Sequence, residues 1–213
     1  LRPIGGTTRS DTAFDVEENC WSAARGEAPA NARAGLHLQP PEAARPLAAL
    51  WLPDDLRRLV SELAPGLARD GGSLIVRGPE HNGRGTLLAA LAAAEGRQAL
   101  FVDWPLPEGD APAWLGAFCT LANARPILRL KATPGELLRL PRLAGYGGWL
   151  GIVCGDEDAI EAPPAPSHCL RIPLPDADLR TRMLQAARPA ADVGENAALA
   201  SLLHLSSGHL LRA

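Results

Sequence analysis

The chain has 213 residues, 46% of them apolar, enough for one α/β domain with a real core and a smaller appendage. Its formal net charge of −3 gives no electrostatic case for a nucleic-acid or anionic-lipid partner. No run of about 18 apolar residues is free of charge or proline, so no membrane span is expected, and no basic-then-apolar leader is read at the start.

Residues 1–49 read as an N-terminal segment and linker, poorly patterned and rich in Ala, Pro, Arg and Gly. A short helix is expected around Asp11 to Ala24, with Phe14, Cys20 and Trp21 on its apolar side. Gly26 to Pro46 reads as a linker that lies over a surface or is disordered. Regular patterning starts at Trp51-Leu52-Pro53-Asp54, with Asp54 as a candidate N-cap. Leu56, Leu59, Val60, Leu63 and Leu67 follow at helical spacing, and the helix ends before Gly71-Gly72.

Short apolar runs then alternate with helices through an α/β unit assigned to residues 50–175. Ser73 to Arg77 is the first core strand, and Thr86 to Glu95 is an Ala/Leu helix stopped by Gly96. Ala99 to Asp103 is the second strand, Ala111 to Asn123 a helix, and Pro126 to Lys131 the third strand. Pro134 to Ala144 is expected to be a helix that Pro141 kinks or ends. Gly148 to Cys154 is the fourth strand and Cys169 to Pro173 the fifth. Strands of this length separated by helices predict a five-stranded parallel sheet with helices on both faces. Residues 176–213 change pattern: two helices, Asp176 to Ala187 and Glu195 to Leu205, have no strand between them, and a third starts near His209. A partial helical lid after such a sheet is the plan of the P-loop NTPases of the AAA+ kind.

The strand-to-helix turn Gly78-Pro79-Glu80-His81-Asn82-Gly83-Arg84-Gly85-Thr86 is the candidate nucleotide-binding loop. A P-loop reads G-x-x-x-x-G-K-[ST] between a strand and a helix, so that backbone N–H groups and the helix N-terminus face a phosphate. Gly78 and Gly83 hold the glycine positions, but Arg84 stands where the lysine belongs and Gly85 where the Mg²⁺-binding hydroxyl belongs. Arginine keeps the charge in a planar, bulkier form. Lys131 is the only lysine among the 21 basic residues, so no other segment supplies a standard loop. Restoring the motif with Arg84→Lys and Gly85→Thr is expected to raise nucleotide affinity if the pocket is otherwise open. ATP or ADP is the cofactor class this loop admits, and magnesium is poorly served by it.

Hydrolysis also needs a carboxylate pair at the end of the third strand. That strand ends Arg129-Leu130-Lys131-Ala132, with no acid. A competing strand order takes Gly151 to Cys154 as the third strand, which makes Asp156 and Glu157 the candidate catalytic pair. No Arg or Lys occurs between Arg142 and Arg171, so the arginine finger that precedes a fifth strand is missing. Arg212 is a candidate lid arginine, and His81 a loop residue within reach of a phosphate. The cysteines Cys20, Cys119, Cys154 and Cys169 form no C-x-x-C pair and read as reduced thiols of a cytoplasmic protein, and no metal-ligating set is assigned.

The segments Leu52-Pro53, Arg77 to Leu87, Phe101-Val102-Asp103 and Leu199 to Ala213 together resemble the AAA+ ATPases associated with bacterial contractile injection systems. The form G-P-E-x-x-G-R-x-T-L is similar to the loop of the first of two tandem ATPase modules in those proteins. The resemblance spans about Leu52 to Ala213. It implies a degenerate first module, an active second module elsewhere in a longer chain, assembly into a homo-oligomeric ring, and a role near injection-system particles. The single methionine, Met183, likewise reads as belonging to a piece of a longer protein. Three functions therefore stand open: a degenerate module that binds nucleotide weakly or not at all, an active ATPase using Arg84 with Asp156 and Glu157, and a protein-interaction domain without ligand.

Overall fold

The computed structural model describes residues 2–4, 13–15, 18–27, 35–106, 113–133, 135–161, 163–202 and 205–210. The first elements are an antiparallel pair, β1 (Arg2–Ile4) with β2 (Ala13–Asp15), and the helix α1 (Glu18–Ala24). The expected helix thus covers only the end of its range. Residues 11, 12, 16 and 17 lie outside the described residues, and Trp21 is exposed rather than packed.

The main sheet contains β3 (Leu36–Gln39), β4 (Ser73–Arg77), β5 (Gln98–Trp104), β6 (Ala124–Leu130), β8 (Leu150–Cys154) and β10 (Ser167–Arg171). Their order across the sheet is β10-β4-β8-β6-β5-β3. The first five are parallel, and β3 closes the edge antiparallel to β5. The five expected strands are all present in one parallel array. The sixth corrects the reading of Gly26 to Pro46: Leu36 to Gln39 is strand, because β5 leaves an open ladder that this segment pairs. Leu36 and Leu38 turn toward the apolar cluster beneath it.

Helix α2 (Asp54–Asp70) begins one residue before the expected position: Pro53 is the cap residue and Asp54 is already helical. No side chain caps this end. The acidic residues Asp54 and Asp55 lie in the first turn, where carboxylates favour the helix dipole. Leu56, Val60 and Leu67 are buried on its inner side, whereas Leu59 faces solvent. Helix α3 (Arg84–Ala94) is apolar all round because it is covered on all sides, with Leu87, Leu88, Ala89, Ala90, Leu91 and Ala92 buried. Its alanines let it approach the sheet and the turns Pro41–Ala43 and Leu47–Ala49 closely.

Below the other face lies α4 (Leu115–Leu121), with Leu115, Phe118 and Cys119 packed against Leu100, Val102, Leu128 and Ile152. Each fully buried Leu, Ile or Val contributes about 1.5–3 kcal/mol over an exposed one. The segment expected to be a helix from Pro134 to Ala144 instead contains strand β7 (Leu137–Arg139), paired parallel with β9 (Ala159–Glu161). Leu137 is exposed, Leu138 buried and Arg139 exposed, a period of two that a helix cannot produce. Pro141 bars continuation of a helix here. Trp104 Nε1 donates to the Arg139 carbonyl at 2.7 Å and fixes the strand to the main body.

At the end of the sheet away from the loops, Arg125 is buried and donates from both Nε and Nη2 to one oxygen of the Glu95 carboxylate, Oε2. The Trp149 indole donates to Glu95 at 2.7 Å, and Arg125 also donates to the Tyr146 hydroxyl at 3.2 Å. Burial and these partners close the network. Burial pushes the Tyr146 phenol up to about 12, although Arg125 acts in the opposite sense.

The lid consists of α5 (Ala177–Ala187), α6 (Val193–Leu202) and α7 (Ser207–Leu210). Asp176 caps α5 by accepting from the Leu179 N–H at 2.8 Å. Leu179, Met183, Leu184, Ala200 and Leu210 form its separate small core. Arg180 is buried within it and donates to the Ala200 and Pro175 carbonyls at 2.7 and 2.6 Å. No helix among the described residues is long and apolar enough to cross a membrane.

Candidate functional site

The parallel strands align their C-terminal ends: Arg77 of β4 stands beside Cys154 of β8 and Arg171 of β10. Loops that follow such ends are where ligands bind in open α/β sheets. The turn from β4 into α3 is one of them. Gly83 takes φ 79°, a left-handed conformation that reverses the chain into the helix, and no side chain caps α3. The first amides of an 11-residue helix therefore point into the space above the sheet.

That space is a cavity of ≈ 710 Å³. Its floor is His81 to Thr86, with Phe101 and Val153 from the sheet. One side is built by His37 and Gln39 of β3, by Arg45, and by Leu50-Trp51-Leu52. Arg129, at the end of β6, and Ser207-Gly208 of the lid complete it. Arginines and histidines line the cavity, and no carboxylate is among the lining residues. Neither β3 nor Arg45 carried a sequence signal for this role. The segment holds no motif, and only its pairing with β5 brings it to the site.

The loop is tied to its neighbours by its own side chains. Asn82 is 3% exposed. Its amide donates to the Ile172 and Pro173 carbonyls at 3.0 and 2.6 Å, just past β10. Its carbonyl oxygen accepts from the Ser207 hydroxyl at 3.1 Å, so one side chain joins the loop, the sheet and the lid. The Gly208 N–H donates to the His81 carbonyl at 2.7 Å. A Cβ on Gly208 would sit 2.6 Å from that oxygen, so glycine is required for this approach. His81, at φ 58°, meets the lid residue His209 edge to face with ring centroids 4.9 Å apart.

Arg84 folds back onto the sheet and donates to the Cys154 carbonyl at the end of β8. Gly85 faces the Phe101 ring: a Cβ there would lie 3.2 Å from Phe101 Cε1. The ring thus crowds the place where a P-loop hydroxyl would meet magnesium. His37 stacks on the same ring at 6.2 Å between centroids, and the Arg129 guanidinium lies 5.3 Å from it. Arg129 Nε is also 2.7 Å from Asp103 Oδ1, and Lys131 Nζ is 3.7 Å from Asp103 Oδ2.

The residues named from sequence divide accordingly. His81, Asn82, Gly83, Arg84, Gly85 and Thr86 line the cavity, while Gly78, Pro79 and Glu80 do not. Asp156 and Glu157 do not line it either. The reason is the strand order. β8 lies between β4 and β6, so it is the fourth strand of the array, and the acids that follow it turn away. Asp156 Oδ1 is 2.9 Å from Arg171 Nε, and Glu157 is exposed. Arg129 on β6 occupies the third-strand end where a catalytic carboxylate would stand. The residues present do not fit magnesium: the cavity lining offers no carboxylate, the position directly after Arg84 is a glycine with no hydroxyl and Thr86 stands one place too late, and among the described residues no group of three His, Cys, Asp or Glu side chains is placed to hold a metal. Arg212 lies outside the described residues.

Sheet order, loop position and lid define a P-loop fold of the AAA+ type. A solved katanin structure, described as the structural basis for katanin self-assembly, is similar to this chain with a TM-score of 0.53. The likeness covers 94% of this chain and 76% of that one at 12% identity, which shows a shared fold and nothing finer. No protein-family model matches the chain, and no curated protein matches it.

Proposed function

We propose that the chain is a degenerate AAA+ module that does not hydrolyse ATP, binds nucleotide weakly or not at all, and acts as a structural and regulatory unit of a larger AAA+ remodelling protein. One observation carries this reading: the cavity wall presents Arg45, Arg84 and Arg129 and no carboxylate. Activation of an attacking water requires a base, and magnesium requires oxygen ligands. The clasp of Asn82 on Ser207 supports the same reading, because it closes the lid onto the loop through protein atoms alone.

The larger protein is proposed to resemble the tandem ATPases of contractile injection systems, with a second, active module and assembly into a homo-oligomeric ring. The neighbouring fold is that of katanin, whose self-assembly is the subject of its structure. Its likeness is compatible with a ring here.

Phosphate release from ATP with Mg²⁺ tests the central claim. Turnover by the purified chain is expected to equal the protein-free blank. Magnesium-dependent turnover that disappears in Glu157→Gln would overturn it and restore the active-ATPase reading.

A further inference from the structure

We propose that the cavity takes a nucleoside polyphosphate as its metal-free anion, and that magnesium weakens this binding. The proposal rests on the non-hydrolysing reading above and adds the ligand and its charge state.

Three guanidiniums line one cavity: Arg45, which has no partner among the described residues, Arg84, which donates one N–H to the Cys154 carbonyl, and Arg129, whose Nε faces Asp103, with His37 and His81 as further donors. Arginine stays protonated at any accessible pH and offers a fork of N–H groups that matches phosphate oxygens. In a standard P-loop site magnesium offsets part of the polyphosphate charge, and carboxylates offset the excess of magnesium. Here the lining supplies positive charge and has no carboxylate of its own to receive a cation, and the Asp103 carboxylate beside Arg129 is already paired with Arg129 and Lys131. A magnesium-bound nucleotide would bring a hydrated divalent cation against guanidiniums and hide phosphate oxygens from them. Its net attraction to the wall is therefore smaller. The Phe101 ring crowds Gly85, the position from which a hydroxyl would hold that ion.

The ligand is more than a bare phosphate chain because the cavity is two-sided. Leu50, Trp51, Leu52 and Val153 line it as well, and Trp51 also packs on the lid core. A volume of ≈ 710 Å³ falls in the range of sites that bury a small organic ligand. Arg45 is the cleanest reporter. It is exposed and makes no hydrogen bond or ion pair among the described residues, so no contact that holds the fold is lost with it.

Calorimetric titration of the purified chain with ADP tests this, in EDTA and again in excess Mg²⁺, with inorganic pyrophosphate as a second ligand. Binding is expected in EDTA, with Kd raised at least fivefold by Mg²⁺ and at least tenfold by Arg45→Ala. Pyrophosphate is expected to bind at least tenfold more weakly than ADP. Tighter binding in Mg²⁺, an unchanged Kd in Arg45→Ala, or equal affinity for pyrophosphate and ADP each overturns the assignment. A chain that neither hydrolyses ATP nor binds ADP in EDTA sinks this proposal and leaves the non-hydrolysing reading standing. A chain that hydrolyses ATP sinks that reading itself.

Discussion

Asn82→Ala isolates the clasp between loop and lid. The side chain makes hydrogen bonds of 3.0, 2.6 and 3.1 Å to Ile172, Pro173 and Ser207, and it is nearly fully buried. Each such bond is worth about 1 kcal/mol net, and the Ile172 and Pro173 carbonyls lose their donor inside the protein. Ser207 is half-buried and regains water, so the total is about 2–3 kcal/mol. For a domain of this size that corresponds to a Tm about 5–10 °C lower. The loss is also local. The Gly208 amide, bonded to the His81 carbonyl at 2.7 Å, is expected to exchange its hydrogen about 30- to 160-fold faster. Hydrogen exchange read by mass spectrometry over Ser207 to Leu210 gives the second measurement. Gly208→Ala should reproduce the effect from the other side of the contact. A Tm within 1 °C of the parent, with unchanged exchange in the lid, would refute the claim that Asn82 holds the lid down.

Restoring the loop sequence alone is expected to fail. Gly85→Thr drives its side chain against Phe101 and costs about 1–3 kcal/mol, and Arg84→Lys with Gly85→Thr gains no magnesium-dependent nucleotide binding in calorimetry. Adding Phe101→Leu to that pair should make room, and tight magnesium-dependent binding without it would show that the ring is no obstacle. At the far end of the sheet, Glu95→Ala strands a buried guanidinium and should cost about 3–5 kcal/mol in urea unfolding. Arg125→Met added to Glu95→Gln should recover part of that loss, and full additivity of the two changes would argue against a coupled pair. Alkali should destabilise the fold. Burial pushes the Cys119 thiol from 9.0 up to about 12, Cys154 from 9.0 up to about 11, and the Tyr146 phenol from 10.0 up to about 12. The unfolded chain releases these protons first, so the stabilisation is complete below about pH 9 and is lost as pH rises to about 12, by up to about 1.4 kcal/mol per pH unit per group. Urea midpoints that stay flat from pH 8 to pH 11 would contradict this.

Local periodicity and turn chemistry decided much of this protein. The runs Ser73 to Arg77 and Ala99 to Asp103 lie in strands, as does Gly148 to Cys154 from Leu150 on, and the Ala/Leu stretch after Arg84 lies in a helix, because each choice is made by side chains within a few residues. The loop between Gly78 and Thr86 was legible for the same reason, as was the absence of its lysine. Leu137-Leu138 reads as helix in sequence because a strand of three residues carries too little period to announce itself, and it forms only by pairing with β9. Tertiary structure alone decided the site. Arg45, Arg84 and Arg129 belong to a turn region, a helix start and a strand end, and only the sheet order brings them round one cavity. The same order turned Asp156 toward Arg171 and out of the cavity lining. Asn82 finds Ser207 125 residues further along the chain, a contact that no local pattern encodes because it exists only once lid and sheet have docked.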